Sequence, residues 1–113
     1  MSTEETKAVV GHHTRALAKR DLEGVLSDYT EESVIYWKEG AARGLAEIQA
    51  FAESFWDAIP EGFWQNAKTL RAEFDGEMGY TLWASTTGVP LGTDTYIVRD
   101  GKIMVQTFAM YVE

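Results

Sequence analysis

The sequence predicts one α+β domain, with helices packed on one face of a curved antiparallel sheet. Three observations lead there. Apolar residues recur with a helical period through much of the first half, around one short β-rich run. The second half is run after run of β-formers broken by Asp75-Gly76 and Asp100-Gly101, which are hairpin signals. The 113 residues show no linker, repeat or low-complexity segment, so residues 1–113 fit a single domain.

The elements follow in order. Ser2 and Glu5 have capping-box spacing, which starts a helix beside Thr3. Val9, His13, Ala16 and Leu17 then recur as one helical face. Asp21 caps a second, short helix with Leu22, Val25, Leu26 and Tyr29 as apolar positions. Ser33 to Lys38 is β-branched and aromatic and reads as a strand, followed by a turn-rich link from Gly40 to Gly44. Leu45 begins a third helix, in which Leu45, Ile48, Ala52, Phe55, Trp56 and Ile59 share a face until Pro60 and Gly62 end it. An antiparallel meander of about four strands fills the rest. A longer connection, Gly88 to Gly92, is expected to divide its middle runs, because Pro90 has no N–H to give a ladder. For the strand Gly79 to Thr87, alternation leaves open whether Tyr80 and Leu82 or Trp83 face inward.

Composition narrows the function classes. The chain is 45% hydrophobic and 12% aromatic, more rings than a minimal core needs, as in the lining of a small-molecule pocket. Its formal net charge of −8 repels nucleic acid and anionic membrane, and there is no basic patch to offset it. With no cysteine, disulfides, thiolate nucleophiles and zinc–thiolate sites are excluded. Met1 to Lys7 is polar and acidic, unlike a secretory signal, and no apolar stretch is long enough to span a bilayer. A cytoplasmic location is the default expectation. There is no phosphate-binding loop, dinucleotide fingerprint, HExxH or nucleophile elbow, and neither a metal nor a cofactor is expected.

Two segments carry a family likeness. Ala18 to Leu26 followed by Tyr29 to Val34, and Thr93 to Ile103, resemble the opening and the penultimate hairpin of the nuclear transport factor 2-like superfamily, which includes ketosteroid isomerases and SnoaL-like polyketide cyclases. The resemblance covers nearly the whole chain. It implies a cystatin-like, cone-shaped curved sheet on a long N-terminal helix and two further helices, enclosing a pocket open at one end. It also implies a homodimer through the outer sheet faces, where Thr95, Ile97, Val105 and Tyr111 would otherwise form an apolar patch.

Asp94 shares a strand face with Tyr96 and Val98, so it is expected to point inward with them. In ketosteroid isomerases the matching position holds a protonated aspartic acid that donates to an oxyanion, a case long used to illustrate pKa tuning. The alternative for Asp94 is a loop cap or an ion pair with a nearby Arg. His13 falls where those enzymes carry a catalytic tyrosine; it is either a proton donor or base, or a hydrogen-bonded core histidine. His12, about 100° away on the helix, is expected in solvent, and adjacent histidines are not a metal motif. The likeness also places Trp37 where ketosteroid isomerases carry their general base, and an indole cannot accept a proton. Gln106, Phe108 and Met110 share a face of the last strand, and the likeness turns that face toward the cavity; with Trp37, Tyr96 and Trp56 of the third helix they make up the expected pocket lining. Gln106 could equally bond a neighbouring backbone. Phe63 and Trp64 are placed to cover the pocket mouth.

The reading is therefore a pocket protein for a small hydrophobic molecule, with cofactor-free proton transfer on a carbonyl compound as in isomerases, dehydratases or cyclases. Asp94 and His13 would carry it. The alternative is a non-catalytic binding or dimerisation domain.

Overall fold

Ser2 opens the first helix with a reciprocal box: its hydroxyl accepts from the Glu5 N–H at 3.1 Å, and the Glu5 carboxylate accepts from the Ser2 N–H at 3.3 Å. The computed structural model describes residues 2–113 and carries this helix, α1, over Thr3–Ala18. Its buried stripe is Thr6, Val10, His13 and Ala16. That corrects the expected face, since Val9 and Leu17 are half-buried flanks. Thr6 can be buried because its hydroxyl donates to the Gly76 carbonyl at 2.6 Å, a partner 70 residues away that apolar counting ignores.

Arg20, with φ of 54°, turns the chain out of α1, and the Asp21 carboxylate accepts from the Gly24 N–H at 3.0 Å to start α2, Leu22–Leu26. Strand β1 is Val34–Trp37. The expected link after it is instead a strand, β2 (Gly40–Arg43), paired antiparallel to β1 from Trp37↔Gly40 to Val34↔Arg43. Its sequence, Gly-Ala-Ala-Arg, carries no strand propensity; the ladder to β1 makes it one. Helix α3 runs Gly44–Ala58 and buries Ile48, Phe51, Ala52, Phe55 and Trp56. A 3-10 turn, Trp64–Asn66, leads into the meander β3 (Ala67–Asp75), β4 (Met78–Ser85), β5 (Val89–Arg99) and β6 (Lys102–Tyr111).

The six strands lie in the order β2-β1-β6-β5-β4-β3. Every pairing is antiparallel except β1 with β6, which is parallel and sets Ile35 opposite Gln106. Both Asp-Gly hairpins form. Asp100 and Gly101 have φ of 51° and 76°, the paired positive angles of a type I′ turn. Pro90 departs from expectation: it is the second residue of β5, not part of a turn. It sits where the β4–β5 register shifts between Trp83 and Ser85, so the ladder asks nothing of its missing N–H. Irregularities in all three meander ladders curve the sheet, and the helices fill its inner face. Trp56 fixes α3 to α1, its indole N–H donating to the Leu17 carbonyl at 2.9 Å.

Candidate functional site

The inner faces of three neighbouring strands supply one wall of a cavity: Thr81 and Trp83 from β4, Asp94 and Tyr96 from β5, Gln106 and Phe108 from β6. Phe51 and Phe55 of α3, with Phe63 and Trp64 after it, close the opposite side around about 220 Å³. Trp83 thus settles which face of β4 turns inward. Exposed Thr14 and Thr69 stand at the rim. The rings meet edge to face, as Phe51–Phe108 (5.3 Å) and Phe55–Phe108 (5.6 Å), while Trp83 stacks with Phe108 at 21°. Gly92 makes that stack possible. A Cβ there would lie 2.3 Å from the Trp83 ring.

At the β5–β6 wall the polar groups form a chain. Asp94 Oδ2 accepts from Trp83 Nε1–H at 2.8 Å, and Oδ1 accepts from Gln106 Nε2–H at 2.9 Å. The amide oxygen of Gln106 accepts from the Tyr29 hydroxyl. Burial pushes the Asp94 carboxyl up from an ordinary 3.8 to about 6, against hydrogen bonds from Trp83, Gln106 and Tyr96 that favour its ionised form. The result is a carboxylate near neutral pH that takes up a proton readily. Burial, reinforced by the Asp94 charge, raises the Tyr29 and Tyr96 phenols well above their ordinary range, so both stay neutral.

His13 is buried at 2% exposure but is not part of the cavity wall. The rings of Tyr29 and Tyr96 stand edge-on to it at 5.6 and 5.7 Å. Neither of its ring nitrogens has a hydrogen-bond partner among the described residues. Burial, with His12 adding to it, lowers its pKa to about 4, so at neutral pH it is uncharged. The expected meeting of His13 and Asp94 in one void is therefore replaced by contact through two tyrosines.

Of the six lining residues expected from the sequence, Tyr96, Gln106 and Phe108 line the cavity; Trp37, Trp56 and Met110 do not. Trp37 packs edge-on against Phe51 at 4.8 Å, Trp56 is occupied with the α1 carbonyl, and Met110 packs against the core near the end of β6. Helical spacing and family likeness assign each a face and say nothing of how far along each element the cavity extends. His12 is not simply solvated: its Nδ1–H lies 2.8 and 2.9 Å from the two oxygens of Asp28, a buried carboxylate. Sequence reasoning missed Phe51, one residue off the face drawn for α3, and the Tyr29 hydroxyl, whose partner is 77 residues away.

Among the described residues no His, Asp and Glu side chains cluster as metal ligands, and no helix is long and apolar enough to cross a membrane.

Solved structures similar to this chain share its fold at low identity. An NTF-2 like protein of unknown function from Burkholderia xenovorans LB400 superposes with a TM-score of 0.78 at 19% identity, covering 100% of this chain and 88% of that one. A candidate polyketide cyclase from Sinorhizobium meliloti gives 0.75 at 15% identity, covering 96% and 100%. A candidate ketosteroid isomerase from Kribbella flavida DSM 17836 gives 0.73 at 16%, covering 97% and 80%. At such identities the likeness is one of fold. No curated protein matches. The family profile described as SnoaL-like domain matches residues 10–106, and the chain belongs to that family.

Proposed function

We propose that the cavity binds a small hydrophobic carbonyl compound and that Asp94 moves a proton on it without a cofactor. In the reaction class considered, the carboxylate takes a proton from the carbon beside the carbonyl. The enolate that forms then recovers a proton at another carbon, expels a leaving group, or closes a ring. Tyr96, a neutral phenol in the same wall that bonds the Asp94 carboxylate, is freed to donate to the enolate oxygen once that carboxylate has taken the proton. Gln106 and Trp83 are positioning residues, each holding one carboxylate oxygen. His13 enters this scheme only through packing on Tyr29 and Tyr96.

One observation carries the reading: the one carboxyl among the described residues of a largely aromatic lining is aimed by two N–H donors and titrates close to neutrality. Deuterium exchange at the α-carbon of 1-tetralone, followed by proton NMR, tests it. The protein should accelerate exchange along a profile that rises through about pH 6, where Asp94 gives up its proton. Exchange at the same rate with Asp94→Asn would reduce the protein to a binding domain.

The reading includes a homodimer. Tyr36, Met78, Leu91 and Tyr111 are exposed on the sheet face that carries no helix, beside the half-buried Ile97 and Val105. Sedimentation equilibrium should give twice the chain mass, and Tyr111→Lys should shift it toward one; a monomeric parent protein removes this part of the proposal.

A further inference from the structure

A carboxamide has two unlike ends, and the buried Gln106 shows a different one to each neighbour. Its NH2 donates to Asp94 Oδ1 at 2.9 Å, and its oxygen accepts from the Tyr29 hydroxyl. Beside a group that titrates, such an amide can turn over: its NH2 suits a carboxylate, while its carbonyl would suit the O–H of the protonated acid. Trp83, on the other carboxyl oxygen, has no such choice, because an indole N–H only donates. What holds the far end of Gln106 therefore decides how the wall treats Asp94.

Tyr29 holds it from a fixed place. The Ile103 N–H donates to the Asp28 carbonyl at 2.7 Å, which ties the backbone beside Tyr29 to β6, the strand of Gln106. The Tyr29 phenol stays protonated, so it always has a proton to donate. Among the described residues that proton has one acceptor, Gln106. The His13 ring stands edge-on to Tyr29 at 5.6 Å and does not accept it, since neither ring nitrogen has a hydrogen-bond partner among those residues. A turned amide would set NH2 against the hydroxyl and strand the Tyr29 proton in the interior. That loss exceeds what one new hydrogen bond to the acid returns. The other titratable groups around this chain are Tyr96 of β5, His13 of α1 and Asp28 beside Tyr29. Tyr96 and His13 are uncharged near neutral pH, and Asp28 is common to every variant used below.

Resting on the reading of Asp94 as the proton-handling group, we propose that Tyr29 is a positioning residue for it: its hydroxyl keeps the Gln106 NH2 on Asp94, so that neither N–H group holding the carboxyl can take its proton. The proton that Asp94 accepts is then left to the cavity side and to the Tyr96 hydroxyl. Without the Tyr29 hydroxyl, the Gln106 carbonyl is free to turn to the protonated acid. That favours the neutral form and draws the proton into the wall, away from a ligand.

The Asp94 titration reads this without any ligand. Carbon-13 labelling of the aspartate carboxyls, with the Asp94 signal identified by its loss in Asp94→Asn, should give a midpoint of about 6 in the parent protein. Tyr29→Phe should raise that midpoint by about 0.5–1 on the pH scale, the equivalent of one net hydrogen bond to the acid form. The tetralone exchange profile should move up with it. With Gln106→Leu already present, Tyr29→Phe should raise the midpoint no further, because Tyr29 acts through that amide. In the parent, the Tyr29 hydroxyl proton, assigned through its ring, should give a downfield signal that persists on both sides of the midpoint. That signal decides even where a variant fails to fold. A Tyr29 that only fills space would slow exchange and leave the midpoint where it was. An unmoved midpoint, an equal rise with Gln106→Leu present, or loss of the hydroxyl signal below the midpoint each overturn the proposal. A midpoint that follows Tyr29→Phe as expected, in a protein whose exchange ignores Asp94→Asn, keeps the amide lock and sinks the proton-transfer reading instead.

Discussion

Asp94 and His13 lie on either side of the same pair of tyrosines, both buried and both titratable, and they have opposite characters. Asp94 has a donor for each oxygen and faces the cavity; His13 has no hydrogen-bond partner among the described residues and faces aromatic rings. Desolvation moves both toward neutrality, which raises a carboxyl and lowers an imidazole. Position relative to the cavity, more than burial, separates the group fit to exchange protons with a ligand from the group fit only to fill space.

The largest expected effect breaks the pair at Asp94. Asp94→Asn should lower proton exchange by about 10²–10⁴-fold, the usual contribution of a positioned base, measured as initial exchange rates. Next comes stability against pH, where the two groups have opposite signs. Raising the Asp94 pKa from 3.8 to about 6 makes the native state bind the extra proton, so its contribution is greatest below pH 3.8 and falls as pH rises to about 6. Lowering the His13 pKa from 6.5 to about 4 does the reverse, so stability is lost as pH falls through that window. Each corresponds to about 3 kcal/mol, and in the parent protein they nearly cancel. In urea titrations between about pH 4 and 6 these two contributions should offset each other in the parent, leaving its slope to the other carboxylates. Asp94→Asn should unmask a rise with pH, and His13→Leu a fall. A slope that neither substitution changes would show that the two shifts are absent.

A smaller effect separates satisfied from unsatisfied burial. Gln106→Leu strands the Tyr29 hydroxyl and one Asp94 oxygen, and should cost about 2 kcal/mol by chemical denaturation. The smallest is His13→Leu near neutral pH. It removes no hydrogen bond and should stay within about 1 kcal/mol of the parent. A loss as large as that of Gln106→Leu would mean His13 has a partner after all.

Local chemistry was legible in the sequence; distance was not. The capping box at Ser2, the cap at Asp21, both Asp-Gly turns and the inward face of Asp94 and Tyr96 follow from spacing alone, whereas the inward face of Gln106 needed the family likeness. Strand β2 and the place of Pro90 do not, because a neighbouring strand decides them. The same holds at the site. Residue type and alternation single out Asp94. Only the fold can say that Trp83 rather than a histidine binds it, that Trp56 is spent on a helix end, and that Trp64 is not.

The parallel pairing of β1 with β6 has a kinetic consequence. A strand formed early waits for the last element to complete its ladder, so the chain must close a long loop before that edge of the sheet exists. Gln106 sits in that same ladder, opposite Ile35. The meander β4–β5–β6 that carries Asp94, Trp83 and Gln106 is joined by short connections, so the two donors of that carboxylate can meet it before the β1 edge is in place.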